Sequence, residues 1–500
     1  MKLKTFFIVA GIAGAAATTA ILVIPSAITG GTAIGSHTKP GGISHILTPD
    51  AQGHLSKTSW TGYKPGDTIY LSGVFKAIAF DNLVGVGDNY YVITNKPNET
   101  VIIGDSVWSG GSWAQGMVLH GCHYIEIAGT DKTRFKFIGS NSNIKDANGV
   151  PTKTAYTDIA LSQLTDNISL HDVTIRYGGA GVFAKTEVSS TNSATWFPNT
   201  YLNNWEFYKL DISGTYNEAM YIGHTANYWN IQSNTPYYPT PTDPAPDQAI
   251  YKRPIKLTNV KIYNNYIHDI GNDAIQTAAI DSLEVYNNEV YNWATKHDAS
   301  NNGGILIGGR VIGFNVHDNI VHEGWGEFMQ VYAQGGGSSI IRNNLFVKNQ
   351  GDGISTRGSE KLQMQITNNT IAYAGGAGLR INGYYGQGNT VAQKNLITNP
   401  KYNGGVINPN TYIYLENGGT VSEGLSPNEN KKYATILQAN VDTLNFYQPV
   451  LGGVSFGYGY SKNTPTPIPV PTPDTVPIPV PVKKITGTIT IYSDGTYQIK

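Results

Sequence analysis

Val260-Lys-Ile-Tyr-Asn-Asn265 sets a theme that returns as Leu283-Glu-Val-Tyr-Asn-Asn288, Phe314-Asn-Val-His-Asp-Asn319, Ser339-Ile-Ile-Arg-Asn-Asn344 and Leu362-Gln-Met-Gln-Ile-Thr-Asn-Asn369. A weaker copy, Val391-Ala-Gln-Lys-Asn395, follows. The closing Asn recurs at separations of 23, 31, 25, 25 and 26 residues. A period of this size marks a solenoid, in which each repeat buries its apolar side against its neighbours only. Each copy alternates with period two, passes through Asn-Asn to an apolar pair such as Tyr266-Ile267 or Leu345-Phe346, and crosses a Gly-rich turn. It closes on a third short run, such as Ala274-Ile-Gln-Thr277 or Gly353-Ile-Ser-Thr356. A helical period is missing, and the runs are bounded by Gly, Asn and Asp. Three strands and three turns per repeat make an all-β solenoid, the parallel β-helix. Coils stacked in this way put Asn265, Asn288, Asn319, Asn344 and Asn369 above one another, where their amides bond along the stack and satisfy a buried turn.

On these repeats the chain resembles the right-handed parallel β-helix superfamily, which includes pectate lyases, alginate and chondroitin lyases, polygalacturonases and phage tailspikes. The phrase Lys64-Pro-Gly-Asp-Thr-Ile-Tyr-Leu71 resembles the start of many β-helix polysaccharide lyases. In physical terms it is a turn at Pro65-Gly66-Asp67 feeding a strand, and it begins the N-terminal cap. The resemblance implies an exported, carbohydrate-active β-helix protein. The paired Asp-Asp, Gly-His-Gly and Arg-Ile-Lys motifs of polygalacturonases are absent.

Composition agrees with a turn-rich β protein whose surface is polar but uncharged: only 14% of residues are charged, with 57 Gly and 32 Tyr. The net charge of −1 gives no electrostatic case for nucleic acid or an anionic membrane. Cys122 is the sole cysteine, so an internal disulfide is excluded. Lys2 and Lys4 precede an uncharged apolar run from Phe6 to Ile24, with small-residue sites at Pro25-Ser-Ala27 and Gly31-Thr-Ala33. Residues 1–33 therefore read as a signal peptide, with an uncleaved N-terminal anchor as the alternative, and the protein as secreted or cell-surface. The β-helix domain is expected over 34–460, with regular coils at about 258–399. Residues 433–451 are expected to form a last coil or a cap. A Pro-rich linker (461–482) and a C-terminal β-hairpin (483–500) with an Asp494-Gly495 turn close the chain. Two strands alone are marginal in water, which implies that the hairpin docks on another surface.

Aligning the third run of each coil gives columns. Ala180, Glu218, Asp273, Gly303, Glu327, Asp352 and Ala377 stand just before the strand. Phe183, Tyr221, Gln276, Leu306, Gln330, Ser355 and Arg380 take its first outward position, and Tyr332 and Arg357 belong to the next. Coils roughly 4.8 Å apart make Glu327 and Asp352 a close carboxylate pair, and Glu218 and Asp273 a second. Such pairs share a proton or bind a cation, and calcium suits the oxygen ligands. Arg357 and Arg380 match substrate carboxylates. The expected site is therefore Glu327, Asp352, Arg357 and Arg380 for catalysis. Tyr221, Gln276, Gln330, Tyr332 and His297 are expected to bind the sugar, and Glu327 and Asp352 (alternatively Glu218 and Asp273) to hold calcium. His297 or Lys361 is the candidate base. The reaction is elimination at an acidic polysaccharide. A glycoside hydrolase using the same carboxylates, and a non-catalytic glycan-binding adhesin or fibre, are the alternatives. Asp273 and Asp352 also fit plain turn chemistry, in which Asp bonds the backbone.

Overall fold

The computed structural model describes residues 42–108, 114–140, 156–358, 361–386, 388–401, 403–462, 489–491 and 497–499. The proposed export segment and the Pro-rich linker lie outside these residues. Three long sheets of 13, 12 and 12 strands run side by side, and each takes every third strand of the coiling chain. In one coil these are Lys256–Tyr263 (first sheet), Tyr266–His268 (second) and Ile275–Thr277 (third). Each pairs in parallel with its counterpart one coil on, as in Val260 opposite Leu283 and Ile275 opposite Ile305. Alternate residues point inward, and Ile262, Val285, Val316, Ile341 and Ile366 make one buried file of the core.

The doublet Asn-Asn carries two separate requirements. Its first member sits in the left-handed region, with φ of 57° at Asn264, 53° at Asn287, 57° at Asp318 and 51° at Asn343, which Asn and Asp tolerate best. Its second member turns inward and builds the expected ladder. Nδ2 of Asn265, Asn288, Asn319, Asn344 and Asn369 each donates to Oδ1 of the next Asn at 2.9 Å, and Asn395 continues to Asn430 at 2.8 Å. Just before the turn, the rings of Tyr208, Tyr263, Tyr286 and His317 stack at 4.8–5.0 Å with interplanar angles of 1–4°. The period of the sequence has become a spacing in space.

Both ends of the core close on charge. At the N-terminal end the inward files finish at His45 and Lys57, which pair with Ile69 and Phe80 of the next coil. His45 meets Asp67 at 2.7 Å, and Lys57 lies 5.2 Å and 4.7 Å from the Trp60 and Tyr63 ring centres. Asp67 of the Pro-Gly-Asp phrase also accepts the Ile43 and Lys64 amides at 2.9 Å, so that phrase is a capping device. At the other end, Glu423 continues the file of Ala392 and Lys432 that of Ile397, and the two form an ion pair at 2.8 Å. Leu415, third member of this last layer, is 48% exposed. These charges blunt the unpaired strand edges against another coil. The double substitution Glu423→Leu, Lys432→Leu is expected to create an apolar end face and shift the mass distribution upward with concentration in analytical ultracentrifugation.

Coiling stops at Lys431–Tyr433. The following segment is an arm and not a further coil. Phe446, Tyr447 and Tyr460 pack on the outward faces of Ile320, Leu345, Val347 and Ala372 in the second sheet. Those outward positions are apolar and need cover, which the arm supplies. Ser461 N–H pins its end to Asn343 Oδ1 at 2.7 Å. A separate compact unit lies within Pro467–Lys500, where Ile489–Ile491 and Tyr497–Ile499 pair antiparallel. No helix among the described residues is long and apolar enough to cross a membrane.

Candidate functional site

The third sheet realises both columns read from the sequence. Phe183, Tyr221, Gln276, Leu306, Gln330, Ser355 and Arg380 pair in unbroken register. One residue group earlier, the Glu218 carbonyl accepts from Gly181, Asp273 from Ala219, Gly303 from Ala274, Glu327 from Gly304 and Asp352 from Phe328. Four carboxyl side chains thus line one edge of one sheet, in two pairs with different surroundings.

In the expected catalytic pair, Asp352 is fully engaged. Its Oδ1 accepts the Ala377 amide at 2.7 Å and its Oδ2 accepts Arg380 Nη1 at 3.0 Å. Arg380 in turn donates from Nε to Glu416 Oε2 at 2.9 Å. The Asp352–Arg380–Glu416 chain ties the last coils together. Both oxygens of Asp352 are taken and Arg380 is bound through Nε and Nη1, and the donor set at Glu327 and Asp352 does not fit calcium, because a guanidinium already sits on Asp352. No group of three or more His, Cys, Asp or Glu placed to hold a metal occurs among the described residues. Arg357 is exposed, with its guanidinium 5.3 Å from the Tyr332 ring centre. Glu327 accepts Gln330 Nε2 at 2.9 Å; burial pushes its carboxyl up, and the Asp352 charge adds to this. His297 stacks on Trp325 at 4.9 Å and does not line the cavity described next.

Of the other pair, Glu218 lines a cavity of about 330 Å³, and Asp273 lies buried one coil on. Glu218 and Asn217 line it, with Phe183, Tyr221 and Gln276 from the outward column. Thr157, Thr225 and Asn301 complete the polar lining. Burial pushes the Glu218 carboxyl up, against a downward pull from its bond to Asn272 Nδ2 at 3.3 Å. Asp273 is 1% exposed; its Oδ1 accepts the Gly303 amide at 2.5 Å, while Oδ2 has no partner. Burial, and next the charge of Glu218, push this carboxyl well above the ordinary range. Two acids on adjacent coils cannot both ionise cheaply, so a form with a shared proton is favoured over the double anion.

One excursion lines the cavity, and a second touches its rim residue Thr225. The 294–302 loop supplies Asn301, and its Lys296 donates to Asn217 Oδ1 at 3.0 Å with its ammonium 4.1 Å from the Tyr216 ring centre. Trp196–Phe197, Tyr251–Pro254, Tyr228–Asn230 and Thr235–Tyr237 form a small antiparallel side sheet. Its rings pack mostly on one another, as Tyr237 does on Tyr251 at 5.0 Å. Tyr238, 55% exposed, reaches Thr225 at 3.4 Å, and Thr225 bonds the Tyr221 hydroxyl at 2.7 Å. Arg310 latches this excursion, donating to the Pro254 carbonyl at 2.8 Å and the His224 carbonyl at 3.2 Å. Burial lowers its guanidinium to about 9. Sequence reasoning missed Arg310, Asn217, Thr225 and Asn301, which belong to turns and loops outside the aligned strands. Asn301 left a trace in the insertion Ala294 to Asn302 of the long 31-residue repeat, and Arg310 as a cation just after the regular run Gly304-Ile-Leu-Ile307.

A further buried acid, Asp158, follows Thr157 in the same sheet. Both carboxyl oxygens lack partners, and burial alone raises it well above the ordinary range. A Cβ at Gly139 or Gly178 would collide with it. A carboxyl raised on folding contributes its stability below the unfolded value and loses it as pH rises through the folded one. Asp158→Asn is therefore expected to raise Tm at pH 8, with the gain closing below about pH 4, in paired melts.

A family model described as "Right handed beta helix region" matches residues 249–419, the stretch holding the ladder and the column from Asp273 onward. The fold is a right-handed parallel β-helix. Similar solved structures include a GH136 lacto-N-biosidase from Eubacterium ramulus, at 13% identity and TM-score 0.41, with 74% of this chain and 62% of that chain covered. A mutant of the periplasmic alginate epimerase AlgG follows at 9% identity and TM-score 0.33, with 78% and 84% covered. PfbA, a surface adhesin of Streptococcus pneumoniae, shows 11% identity and TM-score 0.30, with 92% of each chain covered. This β-helix spans less than two thirds of the lacto-N-biosidase chain. At such identities and TM-scores the likenesses say nothing about chemistry. No curated protein matches.

Proposed function

We propose that this β-helix binds a glycan over its third sheet and hydrolyses a glycosidic bond in the cavity beside Glu218. The observation that carries the reading is Glu218 in the lining of a cavity with aromatic rings and amides, backed on the next coil by the buried Asp273, with both carboxyls raised by burial. Aromatic faces and amide groups suit sugar rings and hydroxyls. Glu218 lines the cavity and acts as general acid. It gives its proton to the glycosidic oxygen as the C–O bond breaks, water adds to the anomeric carbon, and the water proton returns to Glu218. Asp273 is a positioning residue that keeps a proton on the pair. Elimination at an acidic sugar draws support from Arg357 alone, because Asp352 and Arg380 hold each other. The apolar run from Phe6 to Ile24 supports an exported protein. Release of new reducing ends from a panel of glycans, by the parent and by Glu218→Gln, tests the reading: no release from any glycan by the parent overturns it.

A further inference from the structure

We infer that the cavity beside Glu218 selects an uncharged sugar and rejects a uronate or otherwise anionic one. This rests on the hydrolytic reading above and adds its substrate class. The lining offers only neutral hydrogen-bonding groups besides Glu218: Thr157, Asn217, Thr225, Gln276 and Asn301, together with the Tyr221 hydroxyl. That is a set for hydroxyls and amides, without a fork for a carboxylate.

The cations nearby are already engaged. Lys185 is held by Glu187 at 2.6 Å, with its ammonium 5.5 Å from both the Phe183 and Tyr221 ring centres. Lys296 is bound to Asn217 and lies over the Tyr216 ring. Arg357 stands three coils beyond Asp273, roughly 14 Å at the spacing of parallel strands, too far to neutralise a charge in the cavity. An anionic sugar would instead meet the Glu218 carboxyl, backed one coil on by Asp273 with its unpartnered buried oxygen. Like charges brought together out of water are disfavoured, so a neutral sugar gains by comparison.

Matched probes decide the point. Oligogalacturonate is compared with its methyl ester, and oligoalginate with its carboxyl-reduced form, beside neutral xylo-, cello- and chito-oligosaccharides. Binding is measured by calorimetry and cleavage by reducing ends, on the full chain. The expected result is binding of at least one neutral form, tenfold or more tighter than its charged counterpart, with Glu218→Gln narrowing that gap several-fold while Tm is kept. Equal or tighter binding of the charged form, lost in Glu218→Gln, overturns the inference and leaves hydrolysis standing. Failure of every probe to bind or be cut overturns both.

Discussion

Replacing Glu218 with glutamine is expected to lower glycan hydrolysis by about 10²–10⁴-fold, the usual worth of a positioned general acid. The substitution keeps shape and removes only the titrating proton. Its bond from Asn272 Nδ2 survives on the amide oxygen, so the fold has no reason to suffer. Tm should hold or rise, because burial penalises the ionised carboxyl that glutamine replaces. Asp273→Asn separates the two roles. It removes the second acid of the pair, yet retains an acceptor for the Gly303 amide. The alkaline limb of the pH–rate profile should then move toward lower pH with a smaller loss of rate. An unchanged rate in Glu218→Gln, on a glycan that the parent cleaves, would remove Glu218 from the mechanism. A Tm drop matching the rate loss would reduce it to a structural residue.

The second large effect belongs to the ladder. Asn319→Ala is expected to destabilise the β-helix by about 3–5 kcal/mol, from several buried groups left unsatisfied at about 1–3 kcal/mol each. Asn319 Nδ2 serves the Val285 carbonyl and Asn344 Oδ1, while its Oδ1 accepts both Asn288 N–H and Asn288 Nδ2. Alanine removes all of these in a turn that water does not reach. Urea unfolding with an unchanged slope should show the loss. Hydrogen exchange should place the opening at this coil and its two neighbours, since each coil contacts only those. Asn264→Ala makes the contrast. Asn264 sits at φ 57° and its Oδ1 has no partner, so alanine should cost only the left-handed backbone, about 1–2 kcal/mol. Equal losses at Asn264 and Asn319 would show that the amide ladder adds nothing beyond the turn.

Local pattern was enough for the architecture. A fixed repeat, period-two runs and the Asn doublet force strand, turn and register together, because slipping one residue would turn every buried Ile and Val outward. The columns of the third sheet therefore appeared at the residues aligned from sequence, from Phe183 to Arg380. The same alignment put Glu218, Asp273, Glu327 and Asp352 on one edge. It did not tell which of them were already satisfied.

That choice belongs to tertiary contacts. Asp352 and Asp273 look alike in sequence, each in a turn before a third strand. Only the fold brings Arg380 from the next coil onto one, with Glu416 from the coil after it holding the arginine, and leaves the other buried with a bare oxygen. The cavity likewise draws Asn301 from an excursion of irregular length, 294–302, whose path follows no period, and Thr225 from a turn whose His224 carbonyl Arg310 reaches back to hold. Periodicity encodes what neighbouring coils share. Ionisation and enclosure depend on which distant side chains converge, and this chain leaves that to its loops.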